Sequence, residues 1–139
     1  MIVVDTGGMI ALLDADDRHH EAVLEAFEDG EEEWVLPWAI LPEVDYLAAT
    51  RLGERVARAF VQDVADGTFK VEGLAPTDLR AAWALMKKYP RLPLGLVDAV
   101  VMIQAERLKA RAIVTLDARH FRAVKLAGNP RLIPLDGGP

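Results

Sequence analysis

Two short runs of apolar residues, each ending at an aspartate, constrain the fold of this chain more than any other feature. The stretch MIVVDTGG places Met1 to Val4 before Asp5, and AIVTLDARHF repeats the arrangement with Asp117 more than a hundred residues later. Such a run predicts a buried β-strand. Because ligands of open parallel sheets bind at the carboxyl ends of the strands, we expect Asp5 and Asp117 to share one edge of a sheet.

Strand and helix patterns alternate along the rest of the chain. Further strands are expected in EEEWVLP, TFKVEGL, AIVTL and RLIPL. Helices are expected in GGMIALLDADD, DDRHHEAVLEAFEDG, WAILPEVDYLAATRLG, ERVARAFVQDVADG, PTDLRAAWALMKKYP and LPLGLVDAVVMIQAERLKA. This alternation predicts one α/β domain over residues 1–139, with α/β/α layers around a mainly parallel sheet of four to five short strands. Pro42 fits its helix only in the first turn, where backbone N–H groups have no partner within the helix.

Composition excludes several classes of protein. The chain has no cysteine, so neither a disulfide framework nor a thiolate zinc site is possible, and the reducing cytoplasm is the expected compartment. The longest apolar stretch, LGLVDAVVMI, is too short to span a membrane and contains Asp98. We therefore expect a cytoplasmic protein with no membrane segment.

Charge is distributed unevenly along the chain. The net charge is −6, which argues against a general nucleic-acid binder. Residues 1–50 contain thirteen acidic residues and one basic residue, Arg18, whereas residues 51–139 contain fifteen basic and nine acidic residues. The later segment could therefore bind an anionic polymer while the acids serve another purpose.

Four carboxylates are candidates for a functional site, and each also has a structural interpretation. Asp5 and Asp117 could be helix N-caps, a position that favours aspartate. Asp98 lies within an apolar helix, where an unpaired ion is costly, although a place in the first turn would let it interact with the helix dipole. Glu43 taken alone could be an ordinary solvated glutamate.

Taken together, these carboxylates lie in four motifs that resemble a known family. The motifs are VVDTGGMIALLD, LPEVDYL with Glu43, PLGLVDAVVMIQAERL with Asp98, and IVTLDARHF with Asp117. Their order and spacing resemble the PIN-domain nucleases, and most closely the ribonuclease toxins of VapBC toxin–antitoxin systems. The resemblance spans nearly the whole chain.

The resemblance implies a metal-dependent endoribonuclease. By it, Asp5, Glu43, Asp98 and Asp117 match the acidic quartet that holds Mg²⁺ or Mn²⁺, with Asp117 either completing the site or holding a second, weaker ion. Hard divalent cations prefer such oxygen ligands. The resemblance further implies hydrolysis of RNA that leaves a 5′-phosphate and a 3′-hydroxyl, a VapB-like antitoxin as partner, and a homodimer.

Residues that lie close to Asp5 and Asp117 in the sequence are candidates for accessory or structural roles. Thr6 could orient a ligand, or be a simple turn hydroxyl. Arg119, His120 and Arg122 follow Asp117 and could grip the RNA backbone, contact an antitoxin or be solvated; for Arg119 we favour the RNA role.

Aromatic residues and a histidine pair are expected to lie outside the site. We expect Trp34, Trp38 and Trp83 to be core residues rather than platforms for base stacking. His19 and His20 are adjacent on a helix and therefore diverge by about 100°, which is incompatible with a shared metal ion.

Two other functions fit parts of the pattern. A receiver domain of signalling also collects aspartates at strand ends around magnesium, but the acidic pair, phosphoacceptor and lysine expected there are not in place. A catalytically silent PIN module that only binds RNA or a protein is the second alternative, and the presence of all four acids argues against it.

Overall fold

The parallel sheet predicted from the sequence is present and has five strands. The computed structural model describes residues 1–137. The strands are β1 (Ile2–Val4), β2 (Trp34–Pro37), β3 (Lys70–Glu72), β4 (Ala112–Thr115) and β5 (Arg131–Pro134). Their order across the sheet is β3-β2-β1-β4-β5, and every neighbouring pair is parallel. The first strand of the chain therefore lies at the centre of the sheet.

Seven α-helices connect the strands within the described part of the chain. They are α1 (Thr6–Leu13), α2 (His20–Asp29), α3 (Leu41–Arg51), α4 (Glu54–Ala65), α5 (Pro76–Lys88), α6 (Leu96–Arg107) and α7 (Ala118–Ala123). A 3₁₀ turn, Trp38–Ile40, precedes α3. Pro42 lies in the first turn of α3, as expected. Helix α7 was not predicted because six residues are too few for a clear helical period.

The three-layer α/β architecture follows from the burial of the central strands. Every residue of β1, β2 and β4 is buried. Strands that are apolar throughout must be covered on both faces, as in α/β proteins with parallel sheets. Helix α1 packs against β4 and α2, and α6 packs against β1 and β2 with α5 beside it. No helix among the described residues is long and apolar enough to cross a membrane.

A buried polar cluster fixes α6 to α5. The Asp78 side chain, only 2% exposed, accepts hydrogen bonds from Nε2 of Gln104 and from Nε and Nη2 of Arg107. Gln104 also donates to the backbone carbonyl of Gly73. Because both donors belong to α6, these bonds hold in place the helix that carries Asp98.

Two local expectations were wrong. Trp34 is buried, but Trp38 and Trp83 are 50% and 58% exposed and are not core residues. The apolar sequence around them suggested burial, yet each lies on the outer side of its helical segment. Helix α2 begins at His20 rather than at the two aspartates that open the predicted helical segment DDRHHEAVLEAFEDG, because Asp17 accepts a hydrogen bond from the His19 N–H and closes a separate turn.

Two adjacent glycines in α1 differ in their surroundings. A Cβ atom on Gly8 would lie 2.5 Å from the carbonyl oxygen of Val114 and 2.7 Å from its Cγ1, so α1 lies directly against β4. A Cβ atom on Gly7 would make only an ordinary contact, 3.8 Å from Leu116. The absence of a side chain at Gly8 therefore sets how closely α1 approaches the sheet.

We expect Gly8→Ala to destabilise the protein by about 1–3 kcal/mol, because the added methyl group meets backbone that cannot move without disturbing β4. Gly7→Ala is the matched control and should be neutral or stabilising by up to about 1 kcal/mol, since alanine is the better helix former. Urea unfolding followed by circular dichroism measures both. Equal midpoints for the two variants would contradict the close packing of α1.

Candidate active site

The site begins where β1 and β4 end side by side. Val4 pairs with Val114, so the next residues, Asp5 and Thr115, emerge together at the carboxyl edge of the sheet. Thr115 Oγ1 donates a hydrogen bond of 2.9 Å to Oδ2 of Asp5. Asp5 is only 5% exposed. The sheet register therefore holds one buried carboxylate in a fixed orientation.

The two strand-end aspartates differ in whether they cap a helix. Asp5 occupies the N-cap position of α1 but its side chain makes no cap hydrogen bond. Asp117 does cap α7, because its Oδ1 accepts from the His120 N–H at 3.0 Å. The N-cap interpretation thus holds for Asp117 only, and Oδ2 of that residue lies within hydrogen-bond distance of Nδ1 of His120.

Two helix starts supply the remaining carboxylates. Asp98 lies in the first turn of α6, after the N-cap Gly95, and its side chain is 25% exposed. Glu43 lies in the first turn of α3 and is exposed. All four predicted carboxylates line one open cleft with a volume of about 510 Å³. Residues from four separate parts of the chain therefore meet at one place.

Burial and mutual repulsion dominate the electrostatics of this cleft. Burial, followed by the negative charge of Asp98, raises the pKa of Asp5 from 3.8 to about 7, although the hydrogen bond from Thr115 opposes the shift. Burial also raises the pKa of Asp98, and the charges of Asp117 and Glu43 add to the effect while His120 lowers it. Like charges are therefore held together at a cost in free energy.

Several residues of the cleft were not assigned to it from the sequence. Thr115 binds Asp5 and also accepts a hydrogen bond from the Asp117 N–H. His120, for which the sequence left open an RNA contact, an antitoxin contact or a solvated position, places Nδ1 within hydrogen-bond distance of Oδ2 of Asp117. Asp17 and Arg51 also line the cleft. Thr115 could have been found from its position next to Asp5 in parallel register, whereas the other contacts depend on tertiary structure.

The accessory candidates occupy different places. Thr6 lines the cleft, is 6% exposed, and its Oγ1 has no hydrogen-bond partner among the described residues. Arg119 is exposed and is not among the cleft residues. The side chains of His19 and His20 have separate partners, Arg18 and the carbonyl of Ala11.

The donor set fits a hard divalent cation. Asp98, Asp117 and His120 each offer one ligand atom, and these three atoms lie within 4.8 Å of one another. Asp5 and Glu43 add oxygen donors to the same cleft. Carboxylate oxygens are what Mg²⁺ and related ions select, and a cation would relieve the repulsion that raises the Asp5 and Asp98 pKa values. The arrangement is therefore one that a metal ion would complete.

Comparison with known proteins identifies the family. The PIN domain family model matches residues 2–126. Ribonuclease VapC26 of Mycobacterium tuberculosis is 31% identical over 130 residues, which are 94% of this chain and 96% of that protein.

Solved structures share the fold. VapC20 of Mycobacterium tuberculosis, described as a toxin that cleaves the sarcin-ricin loop, superposes with a TM-score of 0.82 at 20% identity, covering 92% of this chain and 98% of the other. A DNA-bound VapBC structure from Salmonella typhimurium matches with a TM-score of 0.70 at 18% identity, covering 94% and 95%. The family match also excludes the receiver-domain alternative. The chain belongs to the PIN domain family, as a member of its VapC type.

Proposed function

We propose that this protein is an endoribonuclease that depends on Mg²⁺ or Mn²⁺ and acts as the toxin of a toxin–antitoxin pair. One observation carries the proposal: the buried Asp5, with its pKa raised to about 7, faces the charges of Asp98 and Asp117 in an open cleft. A cluster of repelling carboxylates that serves no packing purpose is typical of a functional site.

Asp5, Glu43, Asp98 and Asp117 would hold the cation. When bound, a divalent cation activates water as a nucleophile at neutral pH and neutralises the charge that develops on a phosphodiester. The openness of the cleft suits a polymer, which must pass along the surface rather than enter a closed pocket. The relatives' names, Ribonuclease VapC26 and a sarcin-ricin loop cleaving toxin, support RNA as the substrate.

The residues around the carboxylates have supporting roles. The Thr115 hydroxyl fixes the orientation of the Asp5 carboxylate, which lines the cleft and makes no cap hydrogen bond to α1. The first turn of α6 presents Asp98 beside it. Thr6, whose hydroxyl has no partner among residues 1–137, is placed to orient a water molecule or a substrate oxygen. Arg119 remains a candidate for contact with the RNA backbone outside the cleft.

Cleavage of RNA by the purified protein should stop in EDTA and return when Mg²⁺ or Mn²⁺ is added in excess. The physical reason is that the four carboxylates repel both one another and a phosphate until a cation is bound. Gel analysis of labelled structured RNAs measures the effect. Binding of RNA without cleavage under any metal condition would favour the silent-module alternative, and cleavage that continues unchanged in EDTA would contradict the metal requirement.

We further propose that a VapB-like antitoxin covers the cleft in the cytoplasm and that the toxin forms a homodimer. The VapBC complexes among the structural matches support the first partner. Large apolar side chains exposed on α4, α5 and the turn before α3 provide surface that protein partners would bury, and they include Trp38, Val61 and Trp83.

Expression of this protein alone should slow bacterial growth, and Asp5→Asn should relieve the effect. The reason is that free ribonuclease activity damages cellular RNA, whereas the variant lacks a carboxylate needed for cleavage. Growth curves after induction, with immunoblots to confirm equal protein levels, measure the difference. Equal growth of the two strains would rule out the toxin assignment while leaving the nuclease assignment to the cleavage assay.

A further inference from the structure

The cleft carries a charge that is poorly suited to an RNA substrate. Five of its lining residues are acidic, namely Asp5, Asp17, Glu43, Asp98 and Asp117. Even a bound divalent cation leaves such a cleft negative, and a polyanion approaching it meets repulsion. A basic side chain on the cleft wall would offset this repulsion. Arg51 is the only basic residue lining the cleft within residues 1–137.

Arg51 lies on the same face of α3 as Glu43. Glu43, Leu47 and Arg51 are spaced by four residues, and all three line the cleft. Side chains separated by this interval lie one above the other on a helix. Arg51 therefore lies about two turns, or roughly 12 Å, beyond Glu43 along the cleft wall.

The guanidinium group of Arg51 is available for a ligand. Arg51 is exposed, and its side chain makes no hydrogen bond or ion pair with any residue that the structure describes. Two arginines elsewhere on the helices are engaged, since Arg58 pairs with Glu54 one turn away and Arg107 is bound to Asp78. Arg51 also lies in the last turn of α3, where a cation interacts favourably with the helix dipole. That structural role would affect the stability of the fold and not the binding of RNA.

We infer that Arg51 is a substrate-binding residue that grips a phosphate of the RNA backbone on the wall of the cleft beyond Glu43. This inference rests on the proposed ribonuclease function. A guanidinium group binds phosphate oxygens through two parallel hydrogen bonds, which fixes both the position and the orientation of the strand. The contact lies away from the reacting phosphodiester, so it contributes equally to the bound substrate and to the transition state.

Steady-state kinetics separate this role from a structural one. The probe is a fluorescein-labelled RNA hairpin that the wild type cleaves in Mg²⁺. For Arg51→Ala we expect KM to rise about tenfold with kcat within about twofold, because one charge-assisted phosphate contact is lost. Arg55→Ala is the matched control, since Arg55 is exposed on the neighbouring helix α4 and does not line the cleft. Thermal melts of both variants show whether either change disturbs the fold.

A binding experiment gives a second readout that does not depend on turnover. Fluorescence anisotropy of the same hairpin is measured against salt concentration for Asp98→Asn and for Asp98→Asn combined with Arg51→Ala. Loss of one phosphate contact should reduce the slope of log K against log salt by about 0.7 for a single-stranded segment. Arg51→Lys in the same background should restore the slope, because lysine keeps the charge, but should recover only part of the affinity.

The outcomes are distinct. If the wild type neither cleaves nor binds RNA, the proposed function fails and the inference fails with it. If the wild type is active and Arg51→Ala matches Arg55→Ala in both KM and salt slope, the inference alone is overturned. A lower melting temperature with unchanged KM would assign Arg51 to the helix dipole, and a fall in kcat with unchanged KM would also contradict a ground-state phosphate contact.

Discussion

Replacing Asp98 with asparagine is expected to reduce RNA cleavage by more than about a hundredfold, because loss of the outer partners of metal ligands alone typically costs 10- to 100-fold. Asparagine keeps the size of the side chain and removes its charge. Asp98 interacts electrostatically with each of the other three carboxylates. The charges of Asp117 and Glu43 raise its pKa, His120 lowers it, and Asp98 in turn raises the pKa of Asp5. Initial rates on a labelled RNA in Mg²⁺ measure the loss.

The matched control for this change is Asp45→Asn. Asp45 follows Glu43 by two residues on α3, but it lines a separate apolar groove with Trp38 and Phe60. This variant loses the same charge outside the cleft and should cleave RNA at close to the wild-type rate. An Asp98→Asn protein that cleaves within threefold of the wild type would exclude Asp98 from the site.

Replacing Asp5 with asparagine is expected to stabilise the metal-free protein at neutral pH and above, although the same change is expected to stop RNA cleavage. In the folded state burial and the charge of Asp98 raise the Asp5 pKa to about 7, whereas the unfolded chain has an ordinary value near 3.8. Between these two values the folded state binds one more proton than the unfolded state. The free energy of unfolding therefore falls as pH rises through this range.

The size of the effect follows from the same shift. Each pKa unit corresponds to about 1.4 kcal/mol, so Asp5 lowers the stability of the metal-free wild type by up to about 4 kcal/mol above pH 7. Asparagine has no such titration. The two proteins should have similar stability near pH 4 and diverge as pH rises, with Asp5→Asn the more stable. Asp98 has a pKa shifted in the same direction and remains in both proteins.

Urea unfolding in EDTA between pH 4 and pH 8 tests this expectation, with Asp45→Asn as the control for loss of one charge. Added Mg²⁺ should raise the melting temperature of the wild type, since a ligand at a hundred times its Kd stabilises the folded state by about 2.7 kcal/mol. The Asp5→Asn protein should lose much of that gain. If both proteins respond to pH and to Mg²⁺ identically, Asp5 is not part of a metal site.

The sequence predicted the sheet and the meeting of Asp5 with Asp117 at its edge, whereas the addition of Glu43 and Asp98 to that site was implied by the resemblance to PIN-domain nucleases. Apolar runs bounded by turn residues marked all five strands, and parallel topology brought the residues after β1 and β4 together. The first-turn positions of Glu43 and Asp98 followed from the proline and glycine near their helix starts. These helix starts could be predicted because they depend on nearby residues and not on contacts with distant parts of the chain.

What the sequence did not reveal depends on contacts between distant residues. The bond from Thr115 to Asp5 joins residues 110 positions apart, and only the register of β1 against β4 specifies it. The exposure of Trp38 and Trp83 depends on which side of a helix packs on the core. The apolar residues next to them in the sequence therefore led to a wrong prediction of burial. Nothing in the sequence distinguished Arg51 from the other basic residues, because only the position of α3 shows that it lies on the cleft wall.

The central position of β1 has a consequence for synthesis of the chain on the ribosome. Of the five strands described, β1 is synthesised before the others, yet one of its two neighbours, β4, is the fourth to be made, so Ile2 cannot pair with Ala112 until then. A nascent chain that ends at α5 contains Asp5 and Glu43 but has neither Asp98 nor Asp117. The cleft can thus be assembled only after α6, β4 and Asp117 have been made.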